Sequence, residues 1–370
     1  HGAPSMKLIL GDQPLPPLAR LRTYVCGITP YDTTHLGHAF TFAWVDTLAR
    51  VMDHVGAHME VCRNVTDVDD DLLEEARRRG QPWQLLANEW LYQFEDDMRK
   101  LRVRHPAFEP LSRDYITEVI FLVLALLEND AAYNVDGVVY FRGSHMAARA
   151  GLSDEAAIDL HAAAHGHPDD PAKEHPLDAV LWQPSGEHEP RWSSPFGEGR
   201  PGWHVECAAM ATSILGLAID IHAGGEDLAF PHHTYESAMA EAATGVTPYA
   251  RAWMHMGTVR VNGEKMAKST GNLVFLRDLL EDWEPEAIRL MLVDRPWRES
   301  WDYEEAALTV SVDRLDALRA AAARPGGTEA SASEACRLLV EGQQVSNAVT
   351  LGIDEGGETA RLVARLLAIS

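Results

Sequence analysis

The first part of the chain shows apolar runs in the order strand, helix, strand. Residues 21–26 form an apolar run of strand length, and residues 59–65 form a second one. Between them, residues 38–54 carry apolar side chains at near-helical spacing. This order favours a βαβ unit, which places two parallel strands side by side in a sheet.

Similar patterns continue along the rest of the chain. Helical periodicity covers residues 72–101, 114–128 and 285–293, and strand-like runs cover residues 135–141, 217–222 and 252–261. The last run ends in Asn262-Gly263, a dipeptide typical of hairpin turns. Residues 161–176 are rich in Ala, His, Pro and Asp, so we interpret 129–186 as an insertion in the larger fold. Residues 319–335, rich in Ala, Gly, Ser and Pro, indicate a linker before a helical tail.

Composition limits the classes of protein to consider. The chain has 370 residues, 46% of them hydrophobic, which is enough for a sizeable core and two or three domains. No apolar stretch of roughly 18 residues is present, so we expect no membrane span. Since the N-terminus lacks a basic and apolar leader, we expect a cytoplasmic protein. The cysteines are far apart, which favours thiols, ligands or nucleophiles over a disulfide framework: Cys26, Cys207, Cys62 and Cys336.

The charge is strongly negative. Asp and Glu number 56 against 32 Lys and Arg, giving a formal net charge of -24. Proteins that grip a long polyanion usually present a basic face. The balance therefore lowers the expectation of an extended RNA-binding surface.

The first stretch with candidate chemistry is His35-Leu36-Gly37-His38, which follows the predicted strand ending at Cys26. Ligands of open parallel sheets bind beyond the carboxyl ends of strands, where helix N-termini attract anions. His35 and His38 could donate hydrogen bonds to phosphate oxygens there, and Gly37 would let a flat ring approach the backbone. Such a short pattern also arises by chance in a purely structural role.

The second stretch is Lys265-Met266-Ala267-Lys268-Ser269, next to the predicted turn. Lys265 and Lys268 suit a loop that closes over a polyphosphate, although a solvated basic loop would look the same. Taken together, the two stretches resemble the ATP-binding motifs of class I aminoacyl-tRNA synthetases, which activate a carboxylate as an aminoacyl-adenylate. The resemblance implies an α/β fold: a Rossmann-like class I catalytic domain with an insertion and a C-terminal helical region.

The third set of residues has the chemistry of a metal site. Cys26, Cys207 and His232 offer two thiolates and an imidazole, a donor set that suits zinc and leaves a position for substrate. Glu236 is a candidate fourth ligand, four residues after His232. Buried thiols beside ordinary histidines are the alternative, because spacing alone cannot pair distant ligands.

The segments around these residues resemble the zinc site of the cysteinyl-tRNA synthetase family, which includes the cysteine ligases of mycothiol biosynthesis. The resemblance rests on Cys26, on Trp203-His204-Val205-Glu206-Cys207 and on Phe230-Pro231-His232-His233. It implies one zinc ion per chain that binds the thiolate of substrate cysteine. A soft thiolate–zinc bond would separate cysteine from serine, which packing alone discriminates poorly.

The resemblance also implies a role for individual residues. His35, His38, Lys265 and Lys268 would serve the triphosphate, with Mg²⁺ carried by ATP. Thr66 could instead cap a helix that begins at 67–70, and Trp203 could be plain core. The residues implied to bind cysteine and the adenylate are Cys26, Gly27, Ile28, Thr29, Thr41, Asn64, Val65, Thr66, Trp203, Gly225, Glu226, Asp227 and Val259.

Within the family, the stretches CGITPYDTTHLGHA and SPFG…GRPGWH are more similar to the ligases than to the synthetases. This implies ATP, L-cysteine and glucosaminyl-inositol or another small amine as substrates. We do not expect tRNA, since the short tail leaves little room for an anticodon-reading domain, and we expect a monomer. Glu236, Ala267 and segment 165–171 depart from the ligase pattern. A related cysteine-amide ligase, a cysteinyl-tRNA synthetase and a non-catalytic zinc-binding relative remain alternatives.

These interpretations divide the chain into five regions. The regions are 1–128, the first half of the catalytic domain; 129–186, the connective insertion; 187–257, the second half with the zinc ligands; 258–310, the lysine loop and a region similar to the stem-contact region of the synthetases; and 311–370, the C-terminal helices.

Overall fold

Helices and strands alternate through most of the chain. The computed structural model describes residues 6–10, 13–15, 18–31, 33–267 and 270–370. Its strands are β1 (Leu8–Leu10), β2 (Gln13–Leu15), β3 (Arg20–Ile28), β4 (His58–Val65), β5 (Ala132–Val135), β6 (Val138–Phe141), β7 (Ala179–Gln183), β8 (Arg200–Pro201), β9 (Ile219–Gly225), β10 (Ala250–Met256), β11 (Val259–Val261), β12 (Glu264–Lys265) and β13 (Trp301–Asp302). Its α-helices are α1 (Leu36–His54), α2 (Asp70–Arg79), α3 (Trp83–Lys100), α4 (Ile116–Glu128), α5 (Met146–Ala150), α6 (Asp154–Ala163), α7 (Trp203–Leu215), α8 (Thr234–Thr244), α9 (Leu276–Asp282), α10 (Pro285–Val293), α11 (Ala306–Ala323), α12 (Glu329–Glu341), α13 (Val345–Glu355) and α14 (Gly357–Leu367).

A parallel sheet in the order β10-β9-β3-β4 forms the centre of the fold. Tyr24 and Val25 of β3 are fully buried, as expected for a strand covered on both faces. The chain leaves β3 through α1 to reach β4 on one side, while β9 lies on the other. The strand order therefore reverses at β3, and ligands of such sheets bind in the crevice beyond that point. The predicted α/β, Rossmann-like fold is confirmed.

A second sheet forms within the predicted insertion and extends just beyond it. It is antiparallel, in the order β5-β6-β7-β8. The run 135–141 is a hairpin rather than one strand, because Asp136 and Gly137 adopt positive φ angles and turn the chain. Its last strand, β8, leads through Gly202 directly into α7. A Cβ at Gly202 would lie 1.9 Å from the carbonyl oxygen of Val180, so only glycine allows this approach.

Three predicted boundaries were wrong. The run 72–101 is two helices, because Gly80 takes a left-handed conformation and Pro82 follows it. The run 252–261 is two strands, interrupted at Gly257, whose backbone lies against Glu299. The predicted linker at 319–335 is mostly helix, since α11 continues to Ala323 and a capping box of Thr328 and Ser331 starts α12.

The C-terminal helices pack onto the catalytic half through buried contacts. Arg289 of α10 is fully buried and donates to the Asp46 carboxylate of α1 at 2.6 Å. It also donates to the carbonyl oxygens of Leu101 and Leu367, at 3.2 Å and 2.6 Å. One guanidinium thus joins α1 to the end of the chain. None of the helices in the described ranges is both long and apolar enough to cross a bilayer.

Candidate active site

Four residues predicted as zinc ligands meet beyond the central sheet. One ligand atom each from Cys26, Cys207, His232 and Glu236 lies within 4.8 Å of the others, and all four residues are buried. Cys26 lies near the end of β3 and Cys207 in the second turn of α7. His232 lies in the π-helical turn just before α8, and Glu236 lies in the first turn of α8. Two thiols, an imidazole and a carboxylate at this separation fit a tetrahedral zinc ion.

The carboxylate of Glu236 has two further partners. His222 Nε2 lies 2.9 Å from both of its oxygens, and the Tyr249 hydroxyl donates to Oε1 at 2.7 Å. His233 Nε2 lies 3.2 Å from Cys26 Sγ. Cys26, His222, His233 and Glu236 therefore form a second set of convergent donor atoms. Glu236 belongs to both sets of donor atoms. Its carboxylate can therefore act as a metal ligand, or as a hydrogen-bond acceptor that orients the histidine rings.

Burial sets the protonation of this cluster. It lowers the pKa values of His232 and His233 well below the ordinary value, with further lowering from neighbouring histidines. The imidazoles are therefore neutral near pH 7, the form that binds a metal. Burial and the neighbouring Cys207 thiol raise the pKa of Cys26. A thiol in that position ionises only when a cation is bound beside it, which a metal supplies.

Trp203 and His204 cover one side of the cluster. The Trp203 ring stacks on His232 with centroids 4.1 Å apart and an interplanar angle of 12°. His204 Nδ1 lies 2.9 Å from His232 Nδ1, so the two rings share a hydrogen bond. The half-buried Trp203 therefore packs against a candidate zinc ligand, and its role as the floor of a cysteine pocket stays a prediction.

The HLGH stretch begins α1, the helix that follows β3 in the chain. His35 is the N-cap, and its Nδ1 accepts from Gly37 N at 3.0 Å. The rings of His35 and His38 stack with centroids 3.9 Å apart. A Cβ at Gly37 would lie 2.9 Å from His35 Cε1, so the glycine makes room for the histidine ring. Burial and His35 lower the pKa of His38 well below its ordinary value, so it stays neutral.

The lysine loop lies next to this helix start. Leu36 N donates to Val274 O at 2.9 Å, and Leu276 N donates to Thr34 O at 3.0 Å, which ties the HLGH segment to the chain that follows the lysine loop. Lys265 Nζ contacts Asp227 Oδ2 at 2.6 Å. The structure therefore brings Lys265 to one residue implied to bind ribose. Lys268 lies outside the described residues.

The end of β4 forms the wall beside Cys26. Asn64 Oδ1 accepts from Gly27 N at 2.9 Å, and Asn64 Nδ2 donates to Thr66 Oγ1 at 3.0 Å. A Cβ at Gly27 would lie 1.7 Å from Asn64 O, so this contact requires glycine. The alternative role of Thr66 as a helix cap was wrong, because Asp69 caps α2.

The remaining residues implied to bind the adenylate lie at strand ends and helix starts, and their role stays a prediction. Glu226 accepts from the hydroxyls of Thr258 and Ser300, at 2.5 Å and 2.6 Å. These hydrogen bonds hold the segment before β11 against the end of β9. The others lie at the ends of β3, β4 and β9, in the second turn of α1 and at the start of β11: Ile28, Thr29, Val65, Gly225, Thr41 and Val259.

Comparison with known proteins agrees with this geometry. Residues 16–313 match the family model described as "tRNA synthetases class I (C) catalytic domain". The chain belongs to this class I (C) synthetase family. A relative in Streptomyces griseus, named L-cysteine:1D-myo-inositol 2-amino-2-deoxy-alpha-D-glucopyranoside ligase, is 41% identical over 375 residues, 96% of this chain and 91% of the relative. The ligase of the same name in Acidothermus cellulolyticus is 46% identical over 309 residues, 82% and 76% of the two chains.

Solved structures show the same overall fold in class I aminoacyl-tRNA synthetases. Mycobacterium tuberculosis methionyl-tRNA synthetase in complex with methionyl-adenylate has a TM-score of 0.63 at 16% identity, covering 95% of this chain and 82% of that chain. An Agrobacterium radiobacter leucyl enzyme, solved in a ternary complex as LeuRS-tRNA-LeuAMS, has a TM-score of 0.61 at 12% identity, with coverage of 95% and 84%. At such identities the likeness concerns the fold alone.

The sequence analysis missed two histidines of this candidate site, His222 and His255. His222 was seen only as the end of a strand-like run, yet its ring lies 4.2 Å from that of His233. His255 Nε2 lies 2.8 Å from His233 Nδ1. His222 lies on the inner strand β9, and His255 lies on the edge strand β10. A signal was available, since a histidine inside an apolar strand requires a polar partner.

Proposed function

We propose that the protein is an ATP-dependent, AMP-forming ligase that joins L-cysteine to the amine of glucosaminyl-inositol in mycothiol biosynthesis. The observation that carries the proposal is the buried cluster of Cys26, Cys207 and His232 beside the HLGH helix. The names of the ligase relatives, which span most of the chain, supply the acceptor. A cytoplasmic location and a monomer belong to the same proposal.

Cysteine would be selected at the cluster. Bound by Cys26, Cys207 and His232, zinc would hold the substrate sulfur as a thiolate. The neutral imidazole of His232 keeps its lone pair for such an ion, and His204 and the stacked Trp203 fix its ring. Since serine offers no soft donor, the donor set itself supplies the discrimination.

Adenylation would take place between α1 and the lysine loop. The cysteine carboxylate attacks the α-phosphate of ATP, and pyrophosphate leaves. His35, His38, Lys265 and Lys268 would stabilise the charge on the phosphates, together with Mg²⁺ carried by ATP. No residue forms a covalent intermediate in this scheme, since orientation and charge stabilisation are sufficient.

Among the proposed substrates, the acceptor of the activated cysteine is the one that a different molecule could replace. The net charge of -24 argues against a long contact with RNA. Segment 165–171 departs from the ligase pattern and makes another small amine the second candidate. In either case the amine attacks the adenylate carbonyl, and an amide and AMP are formed.

The test begins with cysteine-dependent exchange of pyrophosphate into ATP. We expect strong exchange with cysteine and weak exchange with serine; equal rates would contradict a selective thiolate site. Purified enzyme is then given ATP, cysteine and either glucosaminyl-inositol or tRNA. Detection of the amide by mass supports the proposed acceptor, whereas charged tRNA on an acid gel without amide would overturn it.

A further inference from the structure

Tyr24 lies in the middle of β3, two residues before the candidate zinc ligand Cys26. In the parallel register it is the neighbour of Cys62 on β4 and of His222 on β9. Its ring meets that of His222 edge-on, with centroids 5.4 Å apart. Side chains two residues apart share a face of a strand, so Tyr24 and Cys26 point into the same buried layer.

The hydroxyl of Tyr24 has no hydrogen-bond partner in the described part of the chain, although the residue is fully buried. A buried polar atom without a partner costs free energy, so it requires an explanation. Two nearby buried tyrosines are satisfied. The hydroxyl of Tyr235 donates to Leu177 O at 2.5 Å, and that of Tyr249 donates to Glu236 Oε1 at 2.7 Å.

Three of the four candidate zinc ligands have a supporting partner outside the set. His204 Nδ1 lies 2.9 Å from His232 Nδ1, and His233 Nε2 lies 3.2 Å from Cys26 Sγ. The carboxylate ligand has the two partners described above. Cys207 hydrogen-bonds with the thiol of Cys26, which belongs to the set itself. Within the described ranges, its sulfur therefore lacks the outside support that the other three ligands have.

Tyr24 and Cys207 are packed in one layer, where α7 covers β3 and β4. Both are fully buried members of the same apolar cluster. Burial raises the pKa of the Tyr24 hydroxyl well above its ordinary value, and Cys207 is the neighbour that adds most to this rise, ahead of Cys26 and Glu236. A donor without an acceptor thus lies near a sulfur without an outside donor.

We propose that Tyr24 is a positioning residue of the metal site, whose hydroxyl donates a hydrogen bond to the sulfur of Cys207 when zinc holds that sulfur as a thiolate. This rests on the zinc site of the proposed function. A neutral thiol is a weak acceptor, which agrees with the unpartnered hydroxyl in the metal-free chain. A thiolate is a much better acceptor, because hydrogen bonds to charged groups are the stronger ones.

This hydrogen bond tunes the metal site as well as holding one ligand. It withdraws electron density from the Cys207 sulfur, which then neutralises less of the zinc charge. More of that charge remains for the sulfur of substrate cysteine at the open position. Tyr24 thereby supports the selection of cysteine without contacting it.

The experiment uses Tyr24→Phe, because phenylalanine keeps the ring and removes only the hydroxyl. Zinc affinity, measured by competition with a chelator, should fall about 10- to 100-fold, the usual loss when a supporting partner is removed. With Co²⁺ in place of zinc, the thiolate-to-cobalt charge-transfer band should move to longer wavelength, since losing the hydrogen bond raises the energy of the sulfur lone pair. The metal-free variant should unfold at a temperature no lower than the wild type, because the hydroxyl has no partner to lose.

Tyr140→Phe is the matched control. Tyr140 is buried in the insertion, and its hydroxyl donates to Asp170 Oδ2 at 2.7 Å. This variant loses a hydrogen bond far from the cluster in the chain. It should therefore lose thermal stability while keeping the zinc affinity and the cobalt spectrum of the wild type, which is the opposite pattern.

The three readouts separate the outcomes. Wild-type zinc affinity and an unshifted cobalt band in Tyr24→Phe would overturn the proposal. An equal loss of thermal stability with and without metal, again with an unshifted band, would show a packing role and overturn it too. If the wild type itself binds neither zinc nor Co²⁺, the zinc site of the proposed function fails, and this inference fails with it.

Discussion

The candidate zinc cluster and the phosphate-binding side of the crevice are built differently. Cys26 and Cys207 are 7% and 1% exposed, and the cluster around them comes from a strand and two helices. Lys265 and Asp227, in contrast, have side chains 58% and 50% exposed, at the ends of strands. The part that would select cysteine is fixed by the core before substrate arrives. The part that would handle ATP lies at the surface, where it can rearrange.

Asp227 and Lys265 show how the exposed, phosphate-binding side of the crevice is built. Their contact at 2.6 Å pairs a carboxylate implied to accept from ribose with a lysine implied to bind phosphate. An exposed pair of this kind contributes little to stability. If both residues bind ATP as the resemblance implies, the nucleotide would separate the pair at small cost, and each side chain would gain its own partner on it.

The largest effect should follow from breaking the buried cluster. Cys207→Ala removes a ligand atom that no neighbour can replace. We expect loss of bound zinc and a fall in cysteine-dependent exchange on the order of 10⁴-fold, the discrimination available to a site built around one polar partner. Elemental analysis and exchange rates check this.

Cys336→Ala is the control for that experiment. Cys336 lies in α12, among the C-terminal helices and outside the matching motifs. Zinc content and exchange should stay near the wild-type values. Full zinc occupancy in Cys207→Ala, or equal effects of the two variants, would contradict the predicted ligand set.

A smaller effect should follow on the exposed side. Lys265→Ala removes a charge that would meet the departing pyrophosphate, so kcat for adenylation should fall by roughly tenfold to a thousandfold. Zinc content should not change. Pre-steady-state adenylation with Lys100→Ala, an exposed lysine on α3, as control checks this. A normal kcat with only a raised KM for ATP would count against the role.

The same contrast explains what the sequence could and could not predict. The βαβ order and the HLGH helix were predictable from local periodicity, which is a short-range signal. The convergence of Cys26, Cys207 and His232 was predictable only through the family resemblance, because spacing alone cannot pair distant ligands. The partners of Glu236 were not, because spacing in β9 does not show which residues of α8 its side chains meet. Composition misled at 319–335, where alanine favours helix as strongly as glycine favours a linker.

The smallest effect should come from Glu236→Gln, which separates the two roles open to that side chain. Glu236 is held by His222 and Tyr249. Glutamine keeps the shape and one acceptor oxygen, so the Tyr249 hydrogen bond can persist while the charge is lost. If the carboxylate mainly orients the histidines, zinc affinity should fall only about 10- to 100-fold, the usual cost of losing a group that supports a ligand. Competition with a zinc chelator measures this. A loss as large as that of Cys207→Ala would instead make Glu236 a full ligand, and the cluster would then resemble a closed four-ligand site that substrate sulfur must open.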